Sequence, residues 1–258
     1  MLSNEQQCRY ERHILMPEIG EELQSKLLQS SVLIIGAGGL GAPIAYYLTA
    51  AGVGHIGIID SDVVELSNLQ RQIIHNVNDL GRQKVESAKE KLQLLNPDTK
   101  ITAFCDTFNR SNAAKILAPF DFIIDATDNF DSKFLINDEC VKANKAFSIG
   151  SIFRFQGQVL THIPGSACYR CIFESVPDGN IPIGPLSPIP GIVGSIQATE
   201  AIKYLIGSDS LLINTLLTID TDSMEFTKIK LTPRNNCICT ITPPLNAIKP
   251  IDLPLNYR

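Results

Sequence analysis

Val32-Leu33-Ile34-Ile35 is an unbroken run of branched apolar residues, where a half-exposed strand would alternate apolar with polar. Such a run predicts a strand buried on both faces. A glycine-rich turn, Gly36-Ala37-Gly38-Gly39-Leu40-Gly41, follows at once. Ile44, Ala45, Leu48 and Ala51 then recur at helical spacing up to Gly52. His55 to Ile59 predicts the next strand, closed by Asp60. The same pattern continues with a helix over 83–95, whose Val85, Ala88, Leu92 and Leu95 share one side and which Asn96-Pro97 stops. Strands follow over 101–104 and 122–124, the second ending in Asp125. A helix over 133–144 and a strand over 146–149 complete the series. Strands alternating with helices predict an α/β fold, a Rossmann-like, mostly parallel sheet with helices on both faces.

The pattern changes after Gly150. Apolar runs over 159–163, 216–219 and 226–231 read as strands with no regular helices between them, so antiparallel strands should extend the sheet. One further helix is expected over 192–206, with Gly207 as its C-terminal cap. Pro177 to Pro190 reads as a long loop, and the stretch after Pro243 as an extended tail. The expected organisation is a helical segment over 1–30, a nucleotide-binding part over 31–150, an antiparallel extension over 151–240 within the same domain, and a tail over 241–258.

Composition narrows the classes. The chain has 258 residues, 44% of them hydrophobic, which excludes a mainly disordered protein. A formal charge of -5 argues against a nucleic-acid partner. The uncharged run over 27–59 is broken by Pro43 and by six glycines between Gly36 and Gly54, and that over 181–199 by four prolines, so neither reads as a membrane span. The N-terminus is polar and acidic, unlike a signal peptide. The expectation is a soluble, cytoplasmic protein with no membrane partner. Seven cysteines, an odd number, disfavour a disulfide framework.

Four groups of residues could carry chemistry. Gly36, Gly38 and Gly41 fit the spacing that lets backbone N–H groups approach a phosphate at a helix N-terminus, with Asp60 placed to accept hydrogen bonds from a ribose. The alternative is tight helix–strand packing alone, and the turn by itself does not separate NAD from ATP. Ser67-Asn68-Leu69-Gln70-Arg71-Gln72 and Lys84 supply fixed cations, which phosphoryl chemistry needs and hydride transfer does not. Taken singly, Arg71 and Lys84 read first as ordinary solvated charges and only second as catalytic groups. Asp128, just past the strand ending in Asp125, could hold Mg²⁺ or could cap the following helix. Cys168-Tyr169-Arg170-Cys171 and Cys237-Ile238-Cys239 could form a closed tetrahedral zinc site from two hairpins; reduced thiols or a redox pair are the alternatives.

Taken together and in this order, these residues identify a resemblance. With Arg9-Tyr10-Glu11-Arg12-His13, Lys84-Val85-Glu86-Ser87-Ala88, Ala126-Thr127-Asp128-Asn129 and the stretch from Gly194 to Lys203, the chain resembles the ThiF/MoeB/HesA family, relatives of the ubiquitin-activating enzymes, from about Arg9 to Cys239. The resemblance implies an adenylyltransferase that uses ATP and Mg²⁺ to activate the C-terminal glycine of a small ubiquitin-like sulfur carrier ending in Gly-Gly. It implies that Gly39 and Asp60 hold the nucleotide, with Asn68, Arg71 and Lys84 around its phosphates. Asp62, Ser67 and Gln72 would complete that set, and Asp128 would bind the metal beside Asn129. Arg12 would reach into a partner subunit's site, giving a homodimer with two composite sites. The cysteine pairs would bind a structural Zn²⁺.

The sequence departs from the family in its second cysteine pair, a C-x-C where relatives commonly have C-x-x-C, a shortening expected to strain the site or change one ligand. The stretch from Gly179 to Ile192 contains no cysteine, so adenylation without an enzyme-bound thioester there is expected. No sulfurtransferase segment follows, so sulfur is expected from a separate donor. A peptide or natural-product precursor is the alternative substrate. An NAD-dependent oxidoreductase would leave Arg71, Lys84 and Asp128 unexplained, and a non-catalytic module would use nucleotide only to stabilise a dimer.

Overall fold

The structure is a computed structural model and describes residues 2–175 and 184–241. Three short helices come first, α1 (Asn4–Arg9), α2 (Glu11–Ile14) and α3 (Gly20–Gln29). Strands and helices then alternate as β1 (Ser31–Ile35), α4 (Gly41–Ala50), β2 (His55–Ile59), α5 (Lys84–Leu95), β3 (Lys100–Phe104), α6 (Ala113–Leu117), β4 (Phe122–Asp125) and α7 (Phe130–Lys142). The hairpin β5 (Ala146–Phe153) and β6 (Gln156–His162) leads through the one-turn helix α8 (Tyr169–Ile172) to α9 (Ile189–Ile206). The strands β7 (Thr215–Asp220) and β8 (Glu225–Lys230) and a last turn, α10 (Ile238–Ile241), end the described chain.

The eight strands form one sheet in the order β3-β2-β1-β4-β5-β6-β7-β8. Its first five strands run parallel, and β6, β7 and β8 add to them antiparallel. In β1, Val32 and Ile34 enter a core shared with α4, α5 and α9, while Leu33 and Ile35 enter a second core shared with α6 and α7. Covering both faces explains the run of apolar residues without alternation. The uncharged stretch over 27–59 is divided among the end of α3, β1, α4 and β2, and no helix among the described residues is long and apolar enough to cross a membrane.

Several boundaries differ from those expected. β5 continues past Gly150 to Phe153, because Gly150 to Phe153 pair with Val159 to Gln156 of β6, and glycine stands at 150 because Gln197 Oε1 on α9 would lie 2.2 Å from a Cβ there. α9 begins at Ile189, ahead of the expected 192, since Pro190 sits in the first turn where a missing N–H costs no helical bond. α7 runs over Phe130–Lys142 instead of 133–144, because Asn129 caps it. α6 was not expected, being too short to show a helical period. The tail after Pro243 and residues 176–183 of the proline-rich loop lie outside the described residues.

Candidate active site

Chain order reverses direction across the sheet between β1 and β4, and a crevice opens at the carboxyl ends of strands at such a point. A cavity of about 710 Å³ lies there. Gly36, Gly38, Gly39, Asp60, Asp62, Arg71, Gln72, Lys84, Asp128 and Asn129 all line it. Gly41, Ser67, Asn68 and Arg12 are not among its lining residues.

The glycine turn is shaped by contacts that exclude side chains. Gly36 has φ +105°, and a Cβ there would lie 2.8 Å from the carbonyl oxygen of Ala126. A Cβ on Gly41 would lie 2.1 Å from the Gly36 oxygen, so Gly41 serves the close approach of α4 to the turn. Asp60 holds this turn directly: its Oδ2 accepts the Ala37 N–H at 2.7 Å and its Oδ1 the Asp62 N–H at 2.8 Å. Among the described residues, the N–H groups of Gly38, Gly39, Leu40 and Gly41 have no acceptor, and they lie at the N-terminus of the ten-residue α4. That arrangement suits an anion.

Two cations face the turn. Lys84 is 7% exposed and donates from Nζ to Asp62 Oδ2 at 2.7 Å. Arg71 donates from Nη1 to the Ser67 carbonyl at 3.2 Å. Ser67 and Asn68 therefore stand behind Arg71, and the Asn68 carbonyl accepts the N–H of both Arg71 and Gln72. Gln72 is 4% exposed, yet among the described residues its Oε1 has no partner. A buried acceptor left unpaired at a cavity wall is costly until a ligand or water donates to it.

Asp128 is exposed and, among the described residues, receives only the Asn129 Nδ2 at 3.5 Å. The cap of α7 is Asn129, whose Oδ1 accepts the Ser132 N–H at 2.9 Å. The capping alternative for Asp128 is therefore withdrawn, and its carboxylate is left for the cavity. One carboxylate with room for water suits Mg²⁺.

Beneath Asp128 lies a pair the sequence did not reveal. Lys133 on α7 and Asp125 at the end of β4 are both buried. Lys133 Nζ donates to Asp125 Oδ2 at 2.9 Å, to the Thr127 carbonyl at 2.8 Å and to the Gly150 carbonyl at 2.6 Å. Asp125 Oδ1 accepts from Thr127 N at 2.9 Å and Oγ1 at 2.6 Å. These bonds fix the turn that carries Asp128. Asp106, Thr107 and Phe108, just past β3, also line the cavity and carry no motif that could have marked them.

The four cysteines meet on the other side of α7. Their Sγ atoms lie within 4.8 Å of one another, with Cys168–Cys237 at 3.6 Å and Cys171–Cys239 at 3.5 Å. Zinc–sulfur bonds of about 2.3 Å give a tetrahedron edge near 3.8 Å, so the donor set fits zinc. The shortened C-x-C pair loses no ligand, because both its sulfurs reach the first pair. The knuckles are helical turns, with Cys168 capping α8, and not the hairpins expected. The first is docked on α7: Arg170 makes two bonds to Asp138, at 2.5 and 2.8 Å, and its guanidinium lies over the Phe134 ring. Burial pushes the Cys168 thiol up, aided by the neighbouring sulfurs, and pushes Cys239 up to about 12. Burial acts likewise on Cys171 but is outweighed by the Arg234 and Cys168 N–H groups, which leave it lowered. Raised thiols such as Cys168 and Cys239 ionise near neutral pH only with a cation beside them.

Comparison with known proteins agrees with this geometry. The chain is 42% identical over 236 residues to a "Probable molybdopterin-synthase adenylyltransferase" of Porphyra purpurea, covering 89% of this chain and 62% of that protein. It therefore spans less than two thirds of that relative's length. It is 39% identical over 250 residues to a "Sulfur carrier protein adenylyltransferase" of Thermus thermophilus, covering 93% of this chain and 92% of that one. A crystal structure of E. coli MccB with MccA-N7isoASN superposes with a TM-score of 0.81 at 22% identity, over 92% of this chain and 75% of that one, and shares the fold. Residues 10–240 match the ThiF family, and the chain belongs to it.

Proposed function

We propose that this protein uses ATP to adenylate the terminal carboxylate of a small sulfur-carrier protein, releasing pyrophosphate. The observation that carries this reading is the convergence of Arg71, Lys84 and Asp128 on a glycine turn with free N–H groups. The relatives named above as adenylyltransferases support it. The carrier's carboxylate oxygen attacks the α-phosphorus, a C–O–P bond forms, and the bond to the β-phosphate breaks with its electron pair leaving on pyrophosphate. The substrate is its own nucleophile, so the chain needs to supply position and charge only. The turn's N–H groups, Arg71 and Lys84 take the phosphates, and Gln72 Oε1 gains a donor. Asp128 holds Mg²⁺, which neutralises charge on phosphate oxygens when bound.

The homodimer is part of the proposal. Among the described residues, Arg12, 88% exposed, forms an ion pair only with Glu11, at 3.9 Å, and does not line the cavity, which leaves it available to a second copy. The function is tested by carrier-dependent pyrophosphate release, with a carrier amidated at its C-terminus as the comparison. Release with the free acid alone is expected; equal release with both, or with neither, contradicts the reading.

The four cysteines hold a structural zinc in this proposal. The purified protein should carry about one zinc per chain by elemental mass spectrometry. Cys239→Ser should lower that content and the melting temperature together. A metal-free protein of unchanged melting temperature would contradict it.

A further inference from the structure

Both polar groups of the Ala37 backbone are held. Its N–H goes to Asp60, and its carbonyl oxygen lies 3.3 Å from His75 Nε2. His75 is 6% exposed. Its Nδ1 lies 2.9 Å from Ser87 Oγ on α5, and that hydroxyl accepts from Lys91 Nζ at 2.7 Å. The same ammonium donates to the buried Asp79 at 2.6 Å, which also takes Arg82 at 3.1 Å.

The proton positions follow from these partners. A carbonyl oxygen only accepts, so Nε2 carries a proton. Burial holds the imidazole below its ordinary pKa, and Lys91 and Lys84 act with it against the Ala37 carbonyl and Asp79. The ring is therefore neutral, Nδ1 is bare, and Ser87 donates to it. A trans peptide points its N–H opposite to its C=O, and the chain has no cis peptide among the described residues. With the Ala37 carbonyl turned to His75, the Gly38 N–H faces the other way, and Gly38 lines the cavity.

We propose that His75 is a positioning residue of the glycine turn: as the Nε2–H tautomer, backed by Ser87, it sets the Ala37–Gly38 peptide so that the Gly38 N–H is offered to a nucleotide phosphate. The proposal rests on the nucleotide-binding part of the function above. The effect of losing the donor is twofold, since the Ala37 carbonyl is left buried and unpaired and the peptide is free to turn.

Two measurements on the full chain test it. Nitrogen-15 NMR of the imidazoles, with His75 assigned by its loss in His75→Leu, should show Nε2 protonated and Nδ1 bare at neutral pH. Calorimetry with ATP and Mg²⁺, without carrier, should show His75→Leu binding about tenfold to a hundredfold more weakly. His75→Gln, which restores an N–H donor, should recover most of that affinity. Ser87→Ala, a milder change should His75→Leu fail to fold, should weaken binding several-fold and mix the two tautomers. An Nδ1–H ring, or wild-type affinity in both His75→Leu and Ser87→Ala, would overturn the proposal. Binding of a nicotinamide dinucleotide in place of ATP, weakened by His75→Leu, would overturn the adenylation reading and leave the positioning role standing. A wild-type protein that binds neither would overturn both.

Discussion

Asp128→Asn is expected to slow carrier adenylation by about 10²–10³ while leaving the melting temperature unchanged. Among the described residues the carboxylate makes one long hydrogen bond, from Asn129, and it is exposed and leaves the capping of α7 to Asn129. Exchanging it for an amide of the same shape therefore removes charge from the cavity and nothing from the core. The loss should shrink only slowly as Mg²⁺ is raised, since the amide is a poor ligand for a hard cation. Pyrophosphate release and a thermal melt read the two halves of this expectation. Mixing Asp128→Asn with Arg12→Ala adds a test of the composite site. Each variant alone is defective, but a mixed dimer pairs an intact Asp128 with an intact Arg12 at one site, so part of the activity should return. Wild-type turnover in Asp128→Asn would remove the carboxylate from the mechanism.

Lys133→Met is expected to destabilise the protein by about 3–5 kcal/mol, the cost of leaving a buried carboxylate without its cation. Lys133 has three protons and three acceptors, Asp125 Oδ2 and two backbone carbonyls, so no part of its charge is left unsatisfied. Removing it strands Asp125 and frees both carbonyls. At roughly 2–4 °C per kcal/mol for a chain of this size, the melting temperature should fall by about 6–20 °C. A second change, Asp125→Asn, should return part of that loss by removing the orphan charge. Adenylation by the folded fraction should fall as well, because Thr127, which the pair anchors, leads directly into Asp128. A melting temperature within a degree or two of wild type would show that the pair contributes nothing net.

The parallel core was legible because burial on both faces leaves a pattern that survives in sequence: Val32 to Ile35, His55 to Ile59 and Phe122 to Ile124 all became central strands. Boundaries were less legible wherever a partner distant in sequence decides them. β5 runs through Gly150 because β6 pairs with it as far as Phe153, and the glycine itself marks the place of Gln197 on α9, a partner that no local signal near Gly150 reveals. The cavity's charged residues were visible as a set through the resemblance, whereas the groups that hold them were not. Asp125 and Lys133 are eight residues apart on different elements, and His75 reaches Ala37 across 38 positions. Neither spacing is a motif. The C-x-C pair was misjudged because a one-residue deletion matters to a hairpin, while α10 begins between the two cysteines and turns both sulfurs toward Cys168 and Cys171.

Intact-mass spectrometry of a sulfur carrier after incubation with this protein and ATP·Mg²⁺ addresses the central claim most directly. The account predicts a carrier heavier by one adenylate, located at its C-terminal glycine and removed by added thiol. A carrier of unchanged mass, under conditions where the protein binds ATP and a relative's adenylyltransferase modifies the same carrier, would contradict it.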